Sequence, residues 1–173
     1  MNHDNYSDNY IHEILNTNRS FALVGASANT VRPSYFVLKY LLEKEFKVVP
    51  VNPGIAGKDI LAQKVYGALK DIPEAIDIVD IFRNSETALE ITKEAIEIGA
   101  KVVWMQLGVR NDEAAALAEA AGLQVVMNRC PKIEYARLSG EIGWAGVNSR
   151  AISSVRPKLG PRGFQHRVLR DNE

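Results

Sequence analysis

The residues with chemical potential fall into five clusters, each directly after a short apolar run. They are Gly25-Ala26-Ser27, Asn52-Pro53, Phe82-Arg83-Asn84, Gln106-Leu107-Gly108 and Asn128-Arg129-Cys130. The first is the most suggestive. A glycine turn leads through a polar loop to Arg32 and Pro33, where a helical pattern begins. Proline is tolerated in the first turn of a helix, because its missing N–H would be unpaired there anyway. A loop ending at a helix N-terminus offers unpaired N–H groups and the positive end of the dipole, which suits a phosphate. The last cluster carries the chain's single cysteine. Cys130 follows a predicted strand, precedes a predicted helix and adjoins Arg129, and both features lower a thiol pKa. A nucleophile is conceivable, but His3, His12 and His166 all lie in the terminal segments. A lone cysteine is more often a small buried residue.

The elements around these clusters alternate. Phe21 to Val24 reads as a buried strand, Pro33 to Glu45 as a helix, and Lys47 to Val51 as a second strand. Tyr35, Leu38, Leu41 and Leu42 recur at helical steps and predict the apolar face of that helix. Asn52-Pro53-Gly54 is a turn. Ile55 to Gly67 has no clean period and reads as a loop with a short extended piece near Val65 and Tyr66. Ala68 to Pro73 has room for one helical turn. Asp77 to Phe82 alternates and predicts a third strand. A helix follows, capped by Asn84 or Ser85, with Ala88, Ile91, Ala95, Ile96 and Ile98 on its apolar side and Gly99 past its end. Lys101 to Met105 is a fourth strand, Asn111 caps an alanine-rich helix, Gln124 to Met127 is a fifth strand, and Lys132 to Leu138 is helical. Near the start, Asp8 to Asn16 predicts a short helix with Tyr10, Ile11, Ile14 and Leu15 on one side.

Alternation of this kind predicts an α/β fold, an open sheet of about five parallel strands with helices on both faces. The division is an N-terminal helical arm over 1–18, a sheet domain over 19–138 and a tail over 139–173. The tail reads as surface-wrapping or partly disordered, since it holds glycines, prolines and arginines without a period. In a parallel sheet all five clusters lie on one edge, the edge where ligands bind.

Composition narrows the class. The chain has 173 residues, 46 % hydrophobic and 24 % charged, with Lys plus Arg equal to Asp plus Glu. A neutral balance predicts no global attraction to nucleic acid or an anionic membrane. No apolar run approaches the roughly 20 residues of a membrane helix, and the polar N-terminus lacks signal-peptide order. One cysteine rules out an internal disulfide, and the cytoplasm is the default compartment.

NAD is poorly served. Its fingerprint needs three glycines and an acid at the end of the second strand. Only Gly25 is present, Ser27 and Thr30 stand at the other two places, and the strand ends at Asn52. The P-loop pattern for ATP is absent after this strand. In order along the chain, Gly25-Ala26-Ser27 with Arg32-Pro33-Ser34-Tyr35, Pro50-Val51-Asn52-Pro53, Val79-Asp80-Ile81-Phe82-Arg83, Trp104-Met105-Gln106-Leu107-Gly108 and Met127-Asn128-Arg129-Cys130 resemble the small CoA-binding proteins. That family is related to the N-terminal CoA-binding domain of the succinyl-CoA synthetase α subunit. The resemblance covers about Arg19 to Leu138.

The resemblance implies a Rossmann-like fold with coenzyme A or an acyl-CoA at the strand ends. Backbone N–H groups of Ala26 and Ser27, with the Ser27 hydroxyl, would hold a phosphate oxygen. Arg32 would add a guanidinium to a CoA phosphate; its plainer reading is a solvated loop arginine. Asn52 and Pro53 would shape the nucleotide wall. Phe82 and Arg83 would flank adenine or phosphates, or else be a core ring and a surface ion pair. Gln106 and Gly108 would line the pantetheine path, unless Gln106 merely caps a strand. Asn128, Arg129 and Cys130 complete the rim. The synthetase's phosphohistidine domain and nucleotide-binding partner subunit have no counterpart here, so binding carries over and catalysis does not. The expected function is therefore non-catalytic or regulatory CoA binding, with a small-molecule nucleotide as partner and a homo-oligomer or acyl-CoA enzyme as further possible partners. The rival is a small oxidoreductase or CoA-dependent transferase using Cys130.

Overall fold

The computed structural model describes residues 1–140; the predicted tail lies almost wholly outside them. The chain divides into two compact units: Asn18–Cys130, and the two chain ends that flank it.

The unit Asn18–Cys130 is built on five parallel strands. They are β1 (Ser20–Val24), β2 (Lys47–Val51), β5 (Ile78–Ile81), β6 (Val102–Met105) and β7 (Gln124–Val126), in the spatial order β2-β1-β5-β6-β7. The chain moves outward from β1 to β2, then returns to the other side of β1 with β5. That reversal places the switch point of the sheet between β1 and β5. The register levels the strand ends: Val24 pairs with Val51 and with Ile81, and Ile81 pairs with Met105. Gly25, Asn52, Phe82 and Gln106 therefore begin their loops at one height.

Side-chain alternation sorts the sheet into two faces. Ala22, Val49, Val51, Val79, Ile81, Val103, Met105 and Val125 form one cluster with Ala88 and Ala95 of α3 (Ala88–Glu97) and Ala114, Ala115 and Ala118 of α4 (Asp112–Ala120). Alanines let these helices sit close. Phe21, Leu23, Val48, Ile78, Asp80, Val102, Trp104 and Val126 belong to the opposite face and are all buried. The helix α2 (Pro33–Glu43) buries Ser34, Val37, Leu38 and Leu41, none of them in the first cluster. The buried stripe of α2 thus includes Val37 where the sequence pattern pointed to Tyr35 and Leu42, which are only partly buried. On α3 the fully buried line is Ala88, Thr92 and Ala95, with Ile91 and Ile98 packed at its margin.

Several local expectations are met. Asn111 Oδ1 accepts from Ala114 N at 2.8 Å and caps α4. A single 3-10 turn forms at Leu69–Asp71. The extended piece at Tyr66 bridges to Val51: Tyr66 N donates to Pro50 O at 3.0 Å, and Asn52 N to Tyr66 O at 2.9 Å. Pro50 fits because β2 is an edge strand in the main sheet. The hairpin of β3 (Asp59–Ile60) and β4 (Gln63–Lys64) carries no turn signal in its residue types. Its turn residues Leu61 and Ala62 both have positive φ, 50° and 61°, where asparagine and glycine are the usual signals.

In the other unit, α1 (Asp8–Thr17) and α5 (Pro131–Leu138) are joined by charge. Arg137 donates to Glu134 Oε2 at 2.7 and 3.1 Å and to Asp8 Oδ1 at 2.6 Å. Ser7 Oγ accepts from Tyr10 N at 3.2 Å and caps α1. No helix among the described residues is long and apolar enough to cross a membrane.

Candidate ligand site at the carboxyl edge

Gly25 sits at the switch point and has φ +94°. A Cβ on it would lie 2.5 Å from Phe82 O and 3.0 Å from Arg83 Cδ. Two requirements therefore coincide at Gly25. Its backbone adopts the left-handed region, and the loop after β5 lies against it. The stem of Arg83 passes over Gly25, which brings the β1 and β5 clusters together.

The loop after Gly25 is ordered by its own polar atoms. Gly25 N and Ala26 N both donate to Val51 O, at 2.9 and 3.3 Å. Asn29 N donates to Ser27 Oγ at 3.2 Å, Val31 N to Asn29 Oδ1 at 3.0 Å, and Arg32 N to Asn29 O at 3.0 Å. Tyr35 N and Phe36 N both turn back to Arg32 O. Of the two amides expected to meet a phosphate, Ala26 N–H is thus committed to Val51. The Ser27 N–H has no partner among the described residues. Asn52 ties the second loop to the first, since its Nδ2 donates to Ala26 O at 2.7 Å while its Oδ1 accepts from Gly54 N at 2.9 Å. Pro53 is exposed and opens the 3-10 turn Pro53–Ile55.

Arg32 and Arg83 are exposed, and neither guanidinium has an ion pair or hydrogen bond among the described residues. Phe82 is half-buried and donates its N–H to Val24 O at 2.8 Å. Gln106 turns inward: it is 4 % exposed, and its Nε2 donates to both oxygens of Asp80, at 3.0 and 3.1 Å. Gly108 has φ +79° and open space where its Cβ would be, so its conformation alone accounts for glycine. Its N–H donates to Asn128 Oδ1 at 2.8 Å. Asn128 itself has φ 53°, a region asparagine tolerates. Trp104, fully buried, donates its indole N–H to Arg129 O at 2.8 Å and pins the last loop. Arg129 Nη1 donates to Asn128 O at 3.0 Å, and Cys130 is 7 % exposed.

Sequence reasoning missed Asp80 and Trp104 as parts of the site's foundation. Asp80 is fully buried on the central strand, and burial pushes its carboxyl up to about 8 against the pull of the Gln106 amide. One signal was available: an acid inside the apolar run Ile78-Val79-Asp80-Ile81, on what topology makes the central strand.

The sequence profile of the CoA binding domain matches residues 19–136, two thirds of the chain. The chain belongs to the CoA-binding domain family. It is 36 % identical over 126 residues to the uncharacterized protein YneT of Bacillus subtilis, covering 73 % of this chain and 92 % of that one. It is 33 % identical over 97 residues to the alpha subunit of an ADP-forming acetate–CoA ligase of Pyrococcus furiosus, covering 53 % of this chain and 21 % of the ligase subunit. Among solved structures it resembles a hypothetical protein from Pyrococcus horikoshii, at 43 % identity and TM-score 0.74, over 78 % of this chain and 94 % of that one. Five parallel strands with flanking helices agree with that family's Rossmann-like α/β fold.

Proposed function

We propose that this CoA-binding domain protein holds coenzyme A or an acyl-CoA along the carboxyl edge of its sheet, as a binding or regulatory protein and not as an enzyme on its own. The observation that carries the reading is at the switch point. One ordered loop starts at Gly25, under the stem of Arg83, and ends at Arg32, and neither guanidinium has an acid partner among the described residues. Two arginines without acid partners among the described residues suit a ligand with several phosphates, because guanidinium pairs bidentately with phosphate oxygens. The Ser27 N–H, at the start of the loop, adds a neutral donor. The loops carrying Asn52, Phe82, Gly108 and Asn128 form the rest of the rim, along which the nucleotide and pantetheine would lie.

An enzyme working through Cys130 gains little from the geometry, since a thiol this buried suits packing better than attack on a ligand. The ligase relative makes a third arrangement conceivable, a CoA-handling piece of a larger assembly.

Thermal melting with millimolar CoA, acetyl-CoA, NAD and NADP tests the reading. CoA or acetyl-CoA at about a hundred times its Kd stabilises the folded chain by about 2.7 kcal/mol, a clear rise in Tm. A melting temperature unmoved by either CoA species, or raised by NAD alone, overturns it.

A further inference from the structure

The buried pair Asp80 and Gln106 has no part in the phosphate contacts above. Asp80 lies between Leu23 of β1 and Trp104 of β6 in the register of the sheet. Its hydrogen-bond partner is the Gln106 amide, two residues past Trp104 on the same face. No ion pair reaches Asp80 among the described residues. Its strand neighbours are apolar, α2 buries only Ser34, Val37, Leu38 and Leu41, and the other buried charges, Glu134 and Arg137, are paired with each other.

The far end of the amide is open. Gln106 Oε1 accepts no hydrogen bond from the described residues, yet the one buried side-chain polar atom without a partner among them is Thr92 Oγ1. Oε1 is therefore not fully sealed, and Gln106 stands at the carboxyl end of β6, directly before Leu107 and Gly108 in the chain. Gln106 spans from a sealed acid to the rim.

A side-chain amide has two unlike ends of nearly equal size, and half a turn exchanges them. An ionised Asp80 only accepts, so it draws the N–H₂ inward, as observed. A neutral Asp80 is also a donor, and a buried donor left without an acceptor is costly. Gln106 Oε1 is the acceptor within reach, which turns the N–H₂ outward.

We propose that the proton on Asp80 sets which end of the Gln106 amide faces the carboxyl edge: an N–H₂ donor when Asp80 is neutral, a carbonyl acceptor when it is ionised. Resting on the CoA reading above, the group this selects is a ligand carbonyl, the amide or acyl-thioester oxygen of the acyl-carrying arm. Burial pushes the Asp80 carboxyl up to about 8, so the donor face prevails while the carboxyl stays protonated and is lost as rising pH ionises it.

The test uses the full chain. Side-chain ¹⁵N–H₂ resonances of Gln106, assigned by their loss in Gln106→Met, are followed without ligand from pH 6.5 to 9.5. They are expected to move with a midpoint near Asp80's and to stay flat in Asp80→Asn. Acetyl-CoA, which has no free thiol, is then titrated at pH 7 and pH 9. Its affinity for the native chain should fall roughly tenfold, the effect of one unmade hydrogen bond, and should hold in Asp80→Asn. Native resonances that do not move overturn the switch, and that measurement needs no variant at position 80. An affinity falling equally in both proteins assigns the loss to another group and overturns the selection of a carbonyl. Resonances that titrate while acetyl-CoA binds at neither pH support the switch and sink the CoA reading instead.

Discussion

The two edges of one sheet treat charge in opposite ways. At the amino edge, Asp77 accepts from Arg19 N at 3.0 Å, from Ser20 N at 3.2 Å and from Ser20 Oγ at 3.0 Å, and it pairs with Lys101 Nζ at 2.7 Å. Lys47 pairs with Glu74 at 2.6 Å. The loops there close on themselves. At the carboxyl edge neither Arg32 nor Arg83 has an acid partner among the described residues, and a Cβ on Gly25 would lie 2.5 Å from Phe82 O. One edge uses its polar groups for stability. The other keeps guanidiniums in reserve beside a glycine turn too tight for any side chain.

Gly25→Ala should break that contrast most severely. It forces a Cβ against Phe82 O at a left-handed backbone, so a cost of about 3 kcal/mol or more is expected in denaturant unfolding, together with loss of measurable CoA binding. Gly108→Ala shares the positive φ but meets open space. It should cost about 1 kcal/mol, which separates crowding from conformation.

The arginines sharpen the contrast next. Arg32→Ala and Arg83→Ala should each weaken CoA binding roughly tenfold, the value of one charge-assisted hydrogen bond. Both should leave the unfolding free energy within about 0.5 kcal/mol of the native chain. Lys101→Ala at the opposite edge should do the reverse, lowering stability while calorimetry finds CoA affinity unchanged.

The amino edge also makes a pH prediction. Burial acts to raise the Asp77 pKa, but Lys101 and the donors of Arg19 and Ser20 outweigh it and hold the carboxyl at about 2, against 3.8 ordinarily. The folded state releases this proton at lower pH than the unfolded chain does. Its stabilisation is therefore complete above about pH 5 and lost as pH falls through the folded value. Asp77→Asn should flatten that acid limb by about 1 kcal/mol, a modest figure because the Lys101 partner is exposed to solvent. Smallest of all, Thr92→Val should stabilise the chain by up to about 1 kcal/mol, since it removes a buried hydroxyl with no partner among the described residues. An unchanged or lowered Tm would contradict that.

The layout of the sheet was legible because its signals are local. Short β-branched runs, Pro33 at a helix start, Asn111 as a cap and glycines past helix ends each announce an element without reference to the rest. The strand-end clusters were legible for the same reason, since parallel strands bring their ends to one edge. What stayed hidden depends on pairs distant in sequence. Ala26 N–H is taken by Val51 O, Gln106 turns to Asp80, and Trp104 pins Arg129, each across 25 or 26 residues. The Leu61–Ala62 turn was hidden because its conformation runs against its residue types. The α2 stripe was read with Leu38 and Leu41 correct but Tyr35 and Leu42 in place of Ser34 and Val37, because several apolar residues on this helix compete for the buried face.

The most direct test of the account is calorimetric titration of the native chain and the Arg32→Ala/Arg83→Ala double variant with CoA, beside NAD and NADP. The account predicts saturable binding of CoA and not of NAD, weakened roughly a hundredfold in the double variant at an unchanged melting temperature. NAD binding in place of CoA, or CoA binding indifferent to both arginines, would contradict it.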